Sequence, residues 1–252
     1  MSLIELRNVS KRFGRLIVLR DLTLRIEQGQ SVVIIGASGS GKSVMLKHIV
    51  GLLRPDSGQV WFDEKRLDDL PERKLSELRT NFGFLFQMGA LFDSLTVAEN
   101  VAFPLVEHTH KAPEEILQVV QEKLEMIGLP EAGPKMPGEL SGGQKKRVAL
   151  ARAIALGPRV ILYDEPTTGL DPIRSDVINE LIIRLQRELK VTSITVTHDM
   201  QSAFKIADRV VMLHEGQLIF DGSPDEIRTT DNPIVKRFVL GEADEQELAT
   251  LR

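Results

Sequence analysis

Gly36-Ala37-Ser38-Gly39-Ser40-Gly41-Lys42-Ser43 follows the β-branched run Ser31 to Ile35 and precedes Val44 to Leu53, where apolar residues recur at helical spacing. The pattern GxxxxGK[ST] acquires mechanical meaning in this setting, a strand feeding a loop feeding a helix. Gly36, Gly39 and Gly41, with the small Ser38 and Ser40 between them, let the backbone curl so that successive N–H groups and the helix N-terminus converge on a phosphate. Lys42 then reaches the β and γ oxygens of a nucleotide, and the Ser43 hydroxyl serves Mg²⁺.

Working outward, Val160-Ile161-Leu162-Tyr163-Asp164-Glu165 is an apolar strand ending in two carboxylates. Alone it would be an ordinary solvated strand end; beside a phosphate loop it is a division of labour. Adjacent strand residues face opposite ways, so Asp164 can hold Mg²⁺ through its water shell while Glu165 orients or deprotonates an attacking water. Leu140-Ser141-Gly142-Gly143-Gln144 precedes an alanine-rich helix expected over Lys145 to Leu156. It places a hydroxyl and two unencumbered amides at a helix start, a second anion site. One nucleotide has one triphosphate, so the economical reading is that the second site closes on a nucleotide held by another copy of the chain.

The remaining pattern is mixed α/β. Leu3 to Val9 and Val18 to Ile26 read as antiparallel strands around Phe13-Gly14-Arg15, and Arg54 to Gly58 as a turn. Asn81 to Phe86 reads as a strand. Thr96 and Glu99 form a capping box for a helix around Asn100, and Glu114 to Ile127 is an amphipathic helix with Pro113 at its start and Gly128 and Pro130 as stops. Ser175 to Leu189 reads as a helix, and Ser193 to Val196 and Val210 to Leu213 as strands. From Gly241 onward the chain is acidic, with Leu248 and Leu251 its few apolar residues.

Bulk properties narrow the function. The chain has 252 residues and a formal net charge of −4, which lacks the positive field of a nucleic-acid partner. The absence of cysteine excludes disulfides and thiolate metal sites. Charges at Glu5, Arg7, Lys11 and Arg12 leave no secretory signal, and the apolar runs fall short of the ~20 residues of a membrane-spanning helix. Any membrane role is therefore expected to come through a partner. His108 and His110 have no further ligand in sequence and read as non-metal residues, and His48 and His214 as surface or packing residues.

Together these stretches resemble the ATP-binding-cassette ATPase family, in order and spacing, up to about Gly222. The resemblance implies a P-loop NTPase with a RecA-like core, an N-terminal antiparallel β subdomain and an α-helical subdomain inserted at about residues 90–157. It implies a nucleotide-binding domain over 1–240 followed by an acidic extension over 241–252. GASGSGKS resembles the family's Walker A loop, LSGGQ (Ser141, Gly142, Gly143, Gln144) its signature, and VILYDEP its Walker B strand with Glu165 as catalytic glutamate. Gln87 resembles the Q-loop glutamine, a ligand of Mg²⁺ or its water, Asp171 the D-loop carboxylate across the dimer seam, and His198 the switch histidine. Phe13 falls where the family stacks an aromatic on adenine. The implied cofactors are ATP and Mg²⁺.

A narrower resemblance runs from Phe86 to Val97 and on to Leu105. It is to ATPases of MCE-type phospholipid transporters, although Gln144 stands where that subgroup often has methionine. It implies a homodimer at the cytoplasmic face of the inner membrane, a permease dimer docking near the Q-loop, an MCE-domain lipid-binding protein and a STAS-domain protein. Leu91, Phe92, Leu95 and Val97 are expected to line the docking socket. Another solute transporter, or a soluble ATPase of DNA repair or translation, is the rival reading. The second is disfavoured by a single cassette without sustained heptads between phosphate loop and signature.

Overall fold

The computed structural model describes residues 2–87 and 89–243. The expectations for the acidic extension beyond 243, including Leu248 and Leu251, lie outside the described residues. The chain forms two compact units, Met1–Asp69 with Val196–Arg252, and Leu70–Thr195.

In the first unit, β1 (Ser2–Phe13) and β2 (Leu16–Glu27) form the expected antiparallel pair. Along β2, Leu22, Leu24 and Ile26 are buried while Thr23, Arg25 and Glu27 are exposed, so one face packs and the other meets water. β3 (Ser31–Ile35) is buried at every position. α1 (Lys42–Ile49) starts and ends earlier than the expected Val44 to Leu53. Gly41 turns the loop directly into the helix. At the other end Gly51 adopts φ 67°, and the N–H groups of Leu52 and Leu53 both donate to the Lys47 carbonyl, which closes it. His48 is fully buried on α1, a packing residue whose imidazole desolvation pulls below its ordinary pKa.

Arg54 to Gly58 is not only a turn. Ser57 and Gly58 open β4 (Ser57–Phe62), which pairs antiparallel with β1 through Ile4 opposite Phe62 and Leu6 opposite Val60. β5 (Lys65–Arg66) completes a sheet ordered β2-β1-β4-β5.

The second unit begins with α2 (Glu72–Arg79), followed by β6 (Phe82–Leu85), one residue shorter at each end than expected. α3 (Val97–His108) opens on the predicted capping box: the Thr96 hydroxyl accepts from Glu99 N–H, and the Glu99 carboxylate accepts from Thr96 N–H. α4 (Pro113–Met126) has Pro113 in its first turn, and Gly128, at φ 67°, follows its end. α5 (Gly142–Ala153) starts earlier than Lys145, because Ser141 caps it and both glycines belong to its first turn. β7 (Val160–Asp164) runs parallel to β6, and α6 (Pro172–Leu189) leads to β8 (Thr192–Val196), the neighbour of β7 on its other side.

Back in the first unit come α7 (Met200–Ile206), β9 (Arg209–His214), β10 (Gln217–Gly222), α8 (Pro224–Arg228) and α9 (Pro233–Leu240). β9 lies parallel to β3 and antiparallel to β10. Parallel pairing needs a long crossover, which fits strands this far apart in sequence.

Candidate active site

The first unit carries the phosphate loop. Gly36 has φ 150°, and a Cβ there would lie 2.2 Å from the Leu213 carbonyl oxygen of β9. Gly41 has φ 107°, and its Cβ would lie 2.8 Å from the Val18 carbonyl oxygen of β2. Neither position tolerates a side chain, so the loop is clamped between β9 and β2 by backbone contact. Gly41 is the N-cap of α1 and brings no side chain to cap it. The first amides of the helix thus point into the loop with their partial positive charge. Lys42 is buried, its ammonium donating to the carbonyls of Gly36 at 2.7 Å and Ala37 at 2.9 Å. Ser43 is exposed, and the buried Ser40 hydroxyl has no hydrogen-bond partner among the described residues.

His198 belongs to the same unit. Thr197 N–H donates to the Ile34 carbonyl, two residues before Gly36, so the exposed His198 leaves the chain beside the strand that feeds the loop. The turn is fixed by Asp199, whose N–H donates to the Thr197 hydroxyl and whose carboxylate caps α7 through Gln201 and Ser202. Phe13 is 48% exposed at the β1–β2 turn, with the Lys11 ammonium 5.6 Å from its ring centroid. An open aromatic face with a cation beside it can stack a base.

The second unit carries the carboxylates. Asp164 ends β7, and Glu165 adopts φ 50°, a left-handed conformation that costs a non-glycine residue on the order of 1–3 kcal/mol. The Thr168 hydroxyl lies 3.1 Å from Glu165 Oε2 and donates to it. Asp171 is the N-cap of α6, accepting from Arg174 N–H at 2.9 Å and pairing with the Arg174 guanidinium at 3.2 Å. This local role was not anticipated, although an Asp followed by Pro172 is a legible helix start.

The signature residues sit at the start of α5 in a second reciprocal cap. The Ser141 hydroxyl accepts from Gln144 N–H at 3.3 Å, and Gln144 Oε1 accepts from Ser141 N–H at 2.9 Å. Ser141 and Gly142 are exposed and Gly143 is buried. Gln144 therefore shapes the end of the helix.

Sequence reasoning missed Lys146. It is 6% exposed on α5, and its ammonium donates to the carbonyls of Pro166 and Thr168, each at 2.7 Å, with the Glu165 carbonyl at 3.4 Å. Desolvation lowers its pKa to about 8, against the pull of Glu165 in the other direction. The only signal was a lysine on the apolar face of an otherwise alanine-rich helix.

Gln87 is exposed just beyond β6, in a turn closed by Gly89 N–H donating to the Phe86 carbonyl. The Arg152 guanidinium of α5 holds the turn by donating to the carbonyls of Ala90 at 2.9 Å and Gly89 at 3.0 Å, and it lies over the Phe92 ring at 5.6 Å. Beside the turn is a groove of about 550 Å³ lined by Phe86, Phe92, Phe103, Pro104, His108 and Arg152 among others. Of the four residues expected to line a docking socket, only Phe92 lines this groove. Val97 is fully buried in the core, and Leu91 and Leu95 are half-buried outside the lining.

The sequence profile of the ABC transporter family matches residues 19–168, a span that includes the phosphate loop, Gln87, the signature and the carboxylate pair. The chain belongs to the ABC transporter family. This ABC ATPase is 42% identical over 243 residues to the intermembrane phospholipid transport system ATP-binding protein MlaF of Haemophilus influenzae, covering 96% of this chain and 92% of that protein. It is 42% identical over 238 residues to the probable ribonucleotide transport ATP-binding protein mkl of Mycobacterium leprae, covering 94% of this chain and 69% of that one. Its fold matches the dimeric cassette MJ0796 in a post-hydrolysis state bound to ADP and Pi, with a TM-score of 0.81 and 36% identity over 88% of this chain and 99% of that one. ATP is accordingly the substrate this ATPase binds and hydrolyses. Among the described residues, no helix is long and apolar enough to cross a membrane.

Proposed function

We propose that this ABC ATPase powers phospholipid trafficking between inner and outer membranes through a partner permease. The observation that carries the reading is the similarity to MlaF across nearly the full length of both proteins. The mycobacterial relative named for ribonucleotide transport is equally similar, but the chain spans less of it.

The loop fits a triphosphate on its own geometry: it has an uncapped helix start, a floor where Gly36 and Gly41 exclude side chains, a Ser40 hydroxyl without a partner among the described residues, and the Lys42 ammonium. In this reading Gly36, Ser38, Gly39, Ser40 and Gly41 cradle the phosphates, Lys42 leaves its loop carbonyls for the β and γ oxygens, and Phe13 stacks on adenine. Ser43, Asp164 and Gln87 offer the oxygen donors that Mg²⁺ takes, and the ion would polarise the phosphoryl oxygens. Glu165 and His198 hold and deprotonate water in line with the γ-phosphate. Ser141, Gly142 and Gly143, in the end shaped by Gln144, grip the nucleotide held by a second copy, and Asp171 links the two sites across the seam. Nucleotide then favours only the closed dimer, and that differential binding drives the permease.

The remaining partners follow from the same reading. One nucleotide-binding domain over residues 1–240, with helices inserted at about 90–157, sits peripherally at the cytoplasmic face of the inner membrane. The Phe86–Phe92–Phe103 groove receives a permease helix. An MCE-domain protein and a STAS-domain protein complete the assembly. Glu165→Gln is expected to bind ATP, abolish turnover and trap a closed dimer whose co-purified membrane complex carries phospholipid. Turnover near the parent rate would remove Glu165 from this role, and a complex carrying ribonucleotide in place of lipid would overturn the substrate class.

A further inference from the structure

We infer that Lys146 is a positioning residue for Glu165: it fastens the signature helix α5 to the backbone of the loop that carries the carboxylate. Lysine is almost never buried without partners, and here the partners are main-chain carbonyls within one short loop, those of Glu165, Pro166 and Thr168. An ammonium carries three donors on a flexible stem and can serve three converging acceptors, which neither a glutamine nor the planar fork of an arginine reproduces.

The bonded path to the carboxylate is short. Lys146 Nζ holds the Thr168 carbonyl, and the Thr168 hydroxyl donates to Glu165 Oε2 at 3.1 Å. Lys146 also closes on the carbonyls of Glu165 and Pro166, across a residue held at φ 50°. A left-handed glutamate persists only where its surroundings impose it. The three carbonyl contacts supply that constraint, and they come from the helix whose first turn is the signature. Lys146 thus ties the aim of the water-activating carboxylate to the element that grips the partner's nucleotide. The inference rests on the reading of Glu165 as the water-activating group.

The test uses the full-length chain with Mg-ATP, in steady state and in single turnover, with K146M, E165Q and the double variant, each checked for folding by circular dichroism. K146M is expected to lower kcat by about 10²-fold, the loss that a misplacement of about 1 Å produces, while KM for ATP stays within about twofold because the phosphate loop is untouched. In the E165Q background, where turnover is already abolished, K146M is expected to leave ATP binding and the trapped closed dimer unchanged, since it acts through the carboxylate. A folded K146M with parent kcat, a loss confined to KM, or a double variant that no longer binds ATP and traps the dimer as E165Q does would each overturn the inference. If K146M does not fold, K146R is read by the same three criteria. E165Q at the parent rate would instead overturn the reading of Glu165, whereas an inactive E165Q beside a fully active K146M overturns the role of Lys146 alone.

Discussion

Asn100→Ala tests whether the groove beside the Q-loop is built by a single buried amide. Asn100 is fully buried on α3, where its Oδ1 accepts from Phe92 N–H at 2.8 Å and its Nδ2 faces the carbonyls of Phe92, Leu95 and Thr96, each at 3.0 Å. The Phe92 and Thr96 carbonyls keep backbone donors, from Leu95 and Asn100 N–H. Alanine therefore orphans two groups, the Phe92 N–H and the Leu95 carbonyl. An unsatisfied buried group costs about 1–3 kcal/mol, and Phe92 is exposed enough for water to recover part of that, which leaves a total of about 2–4 kcal/mol. For a chain of this length such a loss lowers Tm by about 5–12 °C without unfolding it at 25 °C. Asn100 touches none of the proposed catalytic residues, so basal ATPase should stay within about twofold while stimulation by the proposed permease falls, because Phe92 loses its register in the groove. Asn100→Asp should cost more than alanine, since it places a carboxylate against carbonyls. Thermal melts with paired basal and permease-stimulated rates check both parts. A melting point within about 1 °C of the parent, or equal loss of basal and stimulated rates, would refute the reasoning.

Mixing inactive Lys42→Ala and Ser141→Arg chains should restore about a quarter of the parent phosphate release, because half of randomly formed dimers are mixed and each then holds one intact composite site. A mixture as inactive as its components would count against shared sites. The pH dependence of stability follows from Lys146, whose folded pKa of about 8 lies below the ordinary 10.5. Between those values the unfolded chain binds more protons, so this group makes stability rise with pH across that window, and the rise should be absent in K146M. Urea midpoints of both proteins at pH 7.5 and pH 9.5 measure it, and parallel midpoints would contradict it.

Much of the chemistry was legible because it is local. The phosphate loop, the carboxylate pair and the capping box at Thr96 each depend on residues a few positions apart, and each takes its form from strand-to-helix geometry or a single turn. Tertiary contacts were not legible in the same way. β4 opens inside a segment with every turn signal, Pro55, Asp56, Ser57 and Gly58, and exists because β1 offers it a pairing edge. α1 stops at Ile49 although Leu52 and Leu53 continue its apolar pattern, because the left-handed Gly51 just beyond its end redirects the chain. The burial of the four residues expected at a docking socket was not legible for a similar reason. Apolar character marks Leu91, Phe92, Leu95 and Val97 alike, but helix phase turns Val97 into the core and leaves the groove to Phe92 and Phe103 from opposite ends of a turn and a helix.

α5 shows how these local and tertiary facts combine. Ser141 caps its first turn, Lys146 holds the loop after β7, and Arg152 holds the Q-loop turn and the ring of Phe92. At 1.5 Å per residue, Ser141 and Arg152 stand about 16 Å apart on one continuous helix. Such a helix bends little without a proline, a paired glycine or a π-bulge in its interior, and beyond the first turn α5 has none of these. A displacement of residues 89–92 that preserves the Arg152 bonds must therefore carry α5 with it. On that condition Ser141 and Lys146 would shift together with residues 89–92. Within this unit, the physical link between the groove and the Glu165 loop is a helix with a cation at each of two joints, Lys146 and Arg152.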